Sequence, residues 1–246
     1  MKRFGRKGLS LLLALVMLLS FAVPAAAADS SLEKAVQRSA AYMQTAVKAP
    51  QVGSIGGEWA VIGLARSGAA LPQSYWDNYY AAVESYVKAC SGVLHEKKYT
   101  EYSRLIVALT SIGVDPANVA GYNLLTPLGD FDKTIWQGIN GPVWALIALD
   151  CGGYDLPVNP SAAKQATRQM YVDEILSRQL DDGGWNLTDK GGSGKADPDM
   201  TGMVLQALAG YQAQSAVKSA TDKALSCLSA IQDATGGFTS WGSGNA

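Results

Sequence analysis

Paired helical segments that recur along the chain are the strongest constraint on its fold. Between residues 29 and 246, apolar residues repeat at helical spacing in segments separated by glycine, proline and aspartate. The first segment of each pair is amphipathic, whereas the second is shorter and apolar on almost every side. Because a helix that is apolar all round must be buried, the amphipathic segments are expected to cover the apolar ones. The sequence therefore predicts an all-α fold with outer helices around inner ones.

These segments predict nine helices in helical-hairpin order. The leucines near the ends of successive inner segments are 40 to 59 residues apart, which is typical of helical-hairpin arrays. No run of alternating β-branched residues predicts a sheet. The outer helices are expected at Leu32–Lys48, Ser74–Cys90, Gly121–Asp132, Ala162–Leu180 and Ser215–Gln232, and the inner helices at Glu58–Ser67, Glu101–Ile112, Gly141–Leu149 and Asp199–Tyr211.

A turn motif occurs twice, each time at the end of an outer helix. Gln179–Trp185 and Gln232–Phe238 both read Gln-x-x-x-Gly-Gly-aromatic and lie 53 residues apart. The glycines permit a sharp turn, after which the aromatic ring can fold back onto the helix pair. The Gln amide can then bond to the backbone at a neighbouring helix end. A weaker copy, Gly56–Trp59, keeps the glycines and the aromatic residue but lacks the Gln.

The turn motif resembles the QW repeat of the prenyltransferase/squalene-cyclase superfamily, most closely over Arg178–Tyr211. The resemblance implies an α/α toroid for residues 29–246 and a secreted member of bacterial type. A closed toroid of this family has twelve helices, so nine helices imply an incomplete ring and a chain truncated at its C terminus. The superfamily includes cyclases, protein prenyltransferases, corrinoid carriers and complement-type domains. The motif is therefore more specific for a fold than for an activity.

An acidic motif follows the first of these turns. Asp197–Gly202 is similar to the Asp-x-Asp-Asp-Thr-Ala motif of class II terpene cyclases. This resemblance implies an isomerase of the terpene cyclase/mutase type, with Asp199 as the proton donor and Asp197 as its companion. The sequence departs from the motif at Met200 and Gly202, and the loss of one carboxylate weakens the hydrogen-bonded cluster that a strong acid needs.

The alternative role of these two aspartates is structural. Acids are favoured at a helix N terminus by the free N–H groups and the helix dipole. Glu58 and Glu101 stand at the comparable start of two other inner helices. The shared position favours helix capping over proton donation for Asp197 and Asp199.

The N-terminal ends of the inner helices are expected to converge on a ligand-binding mouth. An aromatic-rich mouth with a few polar groups suits an apolar or corrinoid-like ligand. The alternative is that the same aromatic side chains fill the ring and pack the loops. The residues expected there are Glu58, Trp59, Glu101, Tyr102, Trp136, Asn140 and Trp185.

The first 28 residues have the pattern of a secretory signal peptide. Four Lys and Arg residues precede an apolar run at Leu9–Val23, which is followed by Pro24 and the alanines 25–28. The run of about 15 residues is shorter than the roughly 20 needed to span a bilayer. We therefore expect cleavage before Asp29, a secreted or cell-surface protein, and no membrane span after cleavage.

Composition excludes several other classes. Four of the 20 Lys and Arg residues precede Asp29, whereas all 21 Asp and Glu residues lie at or after it. Residues 29–246 are therefore mildly acidic, which disfavours nucleic acid as a partner. The single His95 and three cysteines fit no metal site or catalytic triad, and no cofactor or metal is expected.

Two of the cysteines, Cys90 and Cys227, lie on apolar helical faces, so we expect them to be buried free thiols. The alternative is one disulfide with one free thiol.

Three functions remain open. The signal peptide, the incomplete acid motif and the lack of other catalytic groups favour a secreted ligand-binding module. The second hypothesis is a terpene cyclase-like isomerase that uses Asp199, and the third is an adhesion or scaffold array without a small ligand.

Overall fold

Most of the described chain is helical. The computed structural model describes residues 31–53, 56–240 and 243–245, and the predicted signal peptide, residues 1–28, lies outside them. The helices are α1 (31–46), α2 (Glu58–Arg66), α3 (Gln73–Ala89), α4 (Thr100–Ser111), α5 (Phe131–Thr134), α6 (Asn140–Asp150), α7 (Arg168–Ser177), α8 (Pro198–Ala207) and α9 (Ser215–Ile231). A short antiparallel pair, β1 (Phe238–Ser240) and β2 (Ser243–Asn245), follows α9. The all-α class is therefore confirmed.

Four helices form the central row of the structure. Helices α2, α4, α6 and α8 pack each against the next, in chain order. Helix α7 packs against α6, α9 packs against α8, and α7 and α9 contact each other. The core follows this row, and α3 adds to it Tyr79, Val83 and Val87, which are spaced four residues apart on one helical face. The arrangement places the N-terminal ends of α2, α4 and α6 beside one another.

The predicted outer helix at Gly121–Asp132 is wrong. Its apolar residues do have helical spacing and are buried, but the backbone passes through a turn at Gly121 (φ 87°), a 3-10 segment at Thr126–Gly129 and the four-residue α5. Gly129 lies against the carbonyl oxygen of Pro157, which would be 2.6 Å from a Cβ atom at that position. Because of the turn at Gly121 and the close contact at Gly129, the segment forms a compact loop and not a long helix.

The fourth outer helix is shorter than predicted. The prediction begins it at Ala162, whereas α7 begins at Arg168 after a loop. Thr167 sets the start, because its hydroxyl accepts a hydrogen bond from the backbone N–H of Met170 at 3.2 Å.

All three cysteines are free thiols, so the alternative with one disulfide does not occur in the structure. Cys227 is buried, Cys90 is half-buried and Cys151 is exposed. Among the described residues, no helix has both the length and the apolar character needed to cross a membrane.

The two Gln-x-x-x-Gly-Gly-aromatic motifs form the same local turn. The side-chain amide of Gln179 donates to the carbonyl of Gly183 at 2.7 Å, and that of Gln232 donates to Gly236 at 2.8 Å. Both acceptor glycines have a positive φ, 95° and 87°, which a residue with a Cβ atom rarely adopts.

Only the first of these turns is joined to a following helix within the described chain. The amide of Gln179 also donates to the carbonyl of Ala220 in α9 at 2.8 Å. Trp185 folds back and is fully buried, and its indole N–H donates to the carbonyl of Ile175 in α7 at 2.9 Å. The turn therefore fastens α7 to α9 through side chains that the motif singles out.

Replacing Gln179 by Met is expected to destabilise the fold because it removes the donor from two backbone carbonyls. The free energy of unfolding should fall by about 1–3 kcal/mol. The matched variant Gln232→Met, at an exposed turn, should change it by less than about 0.5 kcal/mol. Urea-induced unfolding followed by circular dichroism measures both. Equal losses in the two variants would contradict this role of Gln179.

Candidate functional site

A cleft of about 130 Å³ opens where the N-terminal ends of α2, α4 and α6 meet. Its lining residues come from all three helices, and Thr100 and Asn140 are the first residues of α4 and α6. The lining residues are Trp59, Thr100, Arg104, Asn140 and Trp144. The structure thus brings two of the predicted residues together, Trp59 and Asn140.

The segment before α6 positions both helix starts. Gln137 accepts hydrogen bonds at its side-chain oxygen from the backbone N–H and the hydroxyl of Thr100, each at 3.1 Å. This carboxamide therefore satisfies one of the free donors at the start of α4. Gly141, in the first turn of α6, touches the carbonyl of Thr134, which would be only 1.8 Å from a Cβ atom. A glycine is needed there for α6 to approach α5 so closely.

Two tryptophans form the apolar wall of the cleft. The rings of Trp59 and Trp144 lie with their centroids 5.3 Å apart and their planes at 58°. This tilted arrangement is one that aromatic pairs prefer. Trp59 remains 46% exposed, so a large part of its ring is open to contact from outside.

A partly buried ion-pair network lies behind this wall. The side chain of Glu58 is 1% exposed, and its carboxylate accepts from Arg104 Nε at 3.2 Å and from the backbone N–H of Gly53 at 2.8 Å. Arg104 Nη2 also donates to Glu101 at 2.5 Å. Burial lowers the pKa of Arg104, but the carboxylates of Glu58 and Glu101 outweigh it and hold that pKa above its ordinary value. The guanidinium stays charged between two acids.

Tyr79 adds a polar group beside the ion pair. Its hydroxyl is buried and has no hydrogen-bond partner among the described residues. Burial raises the pKa of Tyr79 far above its ordinary value; Glu58 raises it further and Arg104 opposes the shift. The hydroxyl therefore stays protonated near these charges, with a hydrogen to donate.

Three lining residues and one neighbouring residue were missed by the sequence analysis. Thr100 directly precedes a predicted helix. Arg104 and Trp144 lie inside predicted helices, and Tyr79 lies on an outer one. Of these residues, only Arg104 could have been found from the sequence. It lies three residues after Glu101, and this spacing brings an acid and a base together on one helical face. The position of Trp144 depends on how α6 turns against α2 and α4.

Three other predicted residues lie elsewhere. Tyr102 is buried, and its hydroxyl accepts from the backbone N–H of Leu94 at 3.0 Å. Trp136 is 59% exposed, with the Nζ of Lys97 5.4 Å from its ring centroid. Trp185 is fully buried between α7 and α8, so it offers no surface to a ligand in this structure.

The acid motif sits at the start of α8. Asp197 is the N-cap of this helix, and its carboxylate accepts from the backbone N–H of Met200 at 2.9 Å. The capping role predicted for Asp197 is therefore confirmed. Asp199 lies in the first turn of α8 and is exposed.

Acidic residues in the loop before α8 hold the loop together. The carboxylate of Asp182 accepts from the backbone N–H groups of Gly184 at 3.1 Å and Ala196 at 2.8 Å. The side-chain amide of Asn186 donates to Asp189 at 2.6 Å. In the part of the chain that the structure describes, no group of three or more His, Cys, Asp or Glu side chains is placed to hold a metal ion.

Comparisons of the chain with protein-family models, curated proteins and solved structures found no match. The relation to the prenyltransferase/squalene-cyclase superfamily therefore stays a prediction, carried by the two turn motifs.

Replacing Arg104 by Met is expected to destabilise the chain because it leaves the Glu58 carboxylate buried without its partner. The free energy of unfolding should fall by about 3 kcal/mol. Chemical unfolding of Arg104→Met, of Glu58→Gln and of the double variant measures the coupling between the two residues. The free energy of unfolding lost in the double variant should be smaller than the sum of the losses in the two single variants. As a control, Lys218→Met breaks an exposed pair with Asp222 and should cost less than about 1 kcal/mol. A loss at Arg104 no larger than the control would refute the buried pair.

The buried tyrosines are expected to make the fold sensitive to alkali. Burial raises the pKa of Tyr102 to about 12, whereas an unfolded tyrosine ionises near 10. Because the unfolded state loses the proton first, this stability is complete below about pH 10 and falls as pH rises toward 12. Urea midpoints between pH 9 and 11.5 should fall less steeply in Tyr102→Phe than in the parent. The exposed control Tyr42→Phe should leave the slope unchanged, and an unchanged slope in Tyr102→Phe would contradict the assignment.

Proposed function

We propose that the chain is a secreted or cell-surface module that binds a small ligand in the cleft between Trp59 and Trp144. The observation that carries this proposal is a tryptophan pair, with Trp59 about half exposed, beside a guanidinium held by two acids. Apolar walls with a few placed polar groups are typical of ligand sites. An apolar ring would pack on the indoles, while Arg104 and Asn140 bond to polar groups at its edge.

The cleft limits the size of what enters it. Its volume of about 130 Å³ is below the roughly 300–1,000 Å³ of sites that enclose a whole small molecule. This space takes one ring-sized group. An apolar ligand with a single ring fits within it, whereas a corrinoid-like ligand would insert only an edge or a side group.

We propose with this function the fold and the location that the sequence predicts. The order of α2, α4, α6 and α8 in one row supports the inner helices of an α/α toroid of the prenyltransferase/squalene-cyclase type. The basic, apolar and small-residue segments of residues 1–28 support export by a signal peptide.

Binding is better supported than catalysis at the acid motif. A class II cyclase reaction needs an acid that protonates a double bond in a closed apolar site. Asp199 is exposed in the first turn of α8, and Asp197 caps the same helix. The exposure of Asp199 and the capping role of Asp197 support binding over the isomerase hypothesis.

Ligand binding is tested by calorimetric titration of the full chain with farnesol, hydroxocobalamin and methyl β-glucoside, which represent an isoprenoid, a corrinoid and a neutral sugar ring. We expect saturable binding of at least one, and Trp59→Ala should weaken it about tenfold or more, because it removes half of the aromatic wall. Tyr42→Ala, which removes an exposed aromatic ring from α1, is the matched control and should bind as the parent does. Absence of saturable binding by all three probes would sink the proposal and favour a scaffold array.

A further inference from the structure

The cleft is too small to enclose a ligand of more than one ring. Sites that hold a whole small molecule usually have volumes of roughly 300–1,000 Å³, and this cleft has about 130 Å³. A ligand of more than one ring, seated between Trp59 and Trp144, therefore extends over the neighbouring surface. The residues that border the cleft decide what the rest of that ligand is.

Trp136 is an exposed aromatic residue in the segment that leads to the cleft. It precedes Gln137, whose carboxamide binds the backbone N–H of Thr100 in the cleft, and it lies four residues before Asn140. Its ring is 59% exposed, and the Nζ of Lys97 lies 5.4 Å from the ring centroid. The hydrogen bonds of Gln137 thus tie the segment that carries Trp136 to Thr100, which lines the cleft beside the Trp59–Trp144 wall.

The charges along this path balance. Three acids and three bases lie in the cleft and in the segment that leads to it, and Arg104 already pairs with two of the acids. They are Glu58, Glu96 and Glu101 against Lys97, Lys98 and Arg104. A balanced field attracts neither strong anions nor strong cations. The polar groups that line the cleft are the amide of Asn140, the hydroxyl of Thr100 and the guanidinium of Arg104, all of which can bond to hydroxyl groups.

We propose that the ligand is a neutral oligosaccharide, with one sugar ring in the Trp59–Trp144 cleft and a neighbouring ring on Trp136. This rests on the proposed function and names its ligand class. A sugar ring has an apolar C–H face that packs on an indole and hydroxyl groups around its edge. Asn140, Thr100 and Arg104 lie where they can bond those hydroxyls, and Lys97 can exchange its contact with Trp136 for one with a hydroxyl group.

Two matched pairs of probes test the two-ring arrangement on the full chain. They are glucose with its β-1,4-linked tetramer and N-acetylglucosamine with its β-1,4-linked tetramer, titrated by calorimetry. In at least one pair the tetramer should bind about tenfold tighter than the monomer, because it gains a second stacked ring. Trp136→Ala should weaken tetramer binding much more than monomer binding, whereas Trp59→Ala should weaken both alike. The exposed control Tyr42→Ala should change neither.

The outcomes separate this inference from the function on which it rests. Trp59-dependent binding of farnesol or hydroxocobalamin, with no binding of either saccharide pair, overturns the oligosaccharide and leaves the binding module standing. Failure of every probe overturns both. Equal weakening of monomer and tetramer by Trp136→Ala, with circular dichroism unchanged, refutes Trp136 as a second platform.

Discussion

The contact between Glu58 and Arg104 sets the geometry on which the candidate site depends. It joins the first turn of α2 to the second turn of α4, and Glu58 also holds the preceding loop through the N–H of Gly53. A buried ion pair is a weak source of stability, since its attraction is offset by the desolvation of both charges. An apolar pair of the same volume would hold the two helices as well. What the ion pair adds is a fixed, charged guanidinium beside two tryptophans, which is a property of a binding site.

The row of helices explains why that site lies where it does. Each of α2, α4 and α6 brings to one place an N-terminal end with free N–H groups and a positive dipole end. The chain satisfies these ends differently: Glu58 and Glu101 place acids in the first turns of α2 and α4, and Gln137 bonds to the start of α4. The polar groups at the helix ends thereby adjoin residues that line the cleft: Glu58 precedes Trp59, Glu101 follows Thr100, and Gln137 bonds to Thr100. A site at this position follows from side-by-side packing of inner helices.

The sequence predicted the helices well where one side of a segment had to be buried and no close approach intervened. It failed at Gly121–Asp132, because Leu124, Leu125 and Leu128 are buried at helical spacing while glycines and Pro127 direct the backbone through turns. Periodicity reports which residues face the core, and a compact loop can satisfy the same pattern.

The candidate site could be predicted only where it depends on helix ends. Trp59 and Asn140 were identified because each lies at the start of an inner segment. Arg104 and Trp144 lie one turn further along, and their direction depends on how the helices rotate against each other. Trp185 shows the opposite case: its motif predicts that the ring folds back, and that same movement removes it from the surface where a ligand could reach it.

The way in which the polar groups of the described chain are already used supports binding over catalysis as the proposed function. Both oxygens of Glu58 accept hydrogen bonds, Glu101 is paired with Arg104, and Asp197 caps α8. His95, the single histidine, accepts at Nδ1 from the backbone N–H groups of Lys97 and Lys98, each at 3.0 Å. A general acid or base must exchange a proton with its substrate, and these groups are instead held in fixed hydrogen bonds. Fixed donors around an open aromatic wall recognise a ligand at low entropic cost, because little of the site has to be ordered when the ligand arrives.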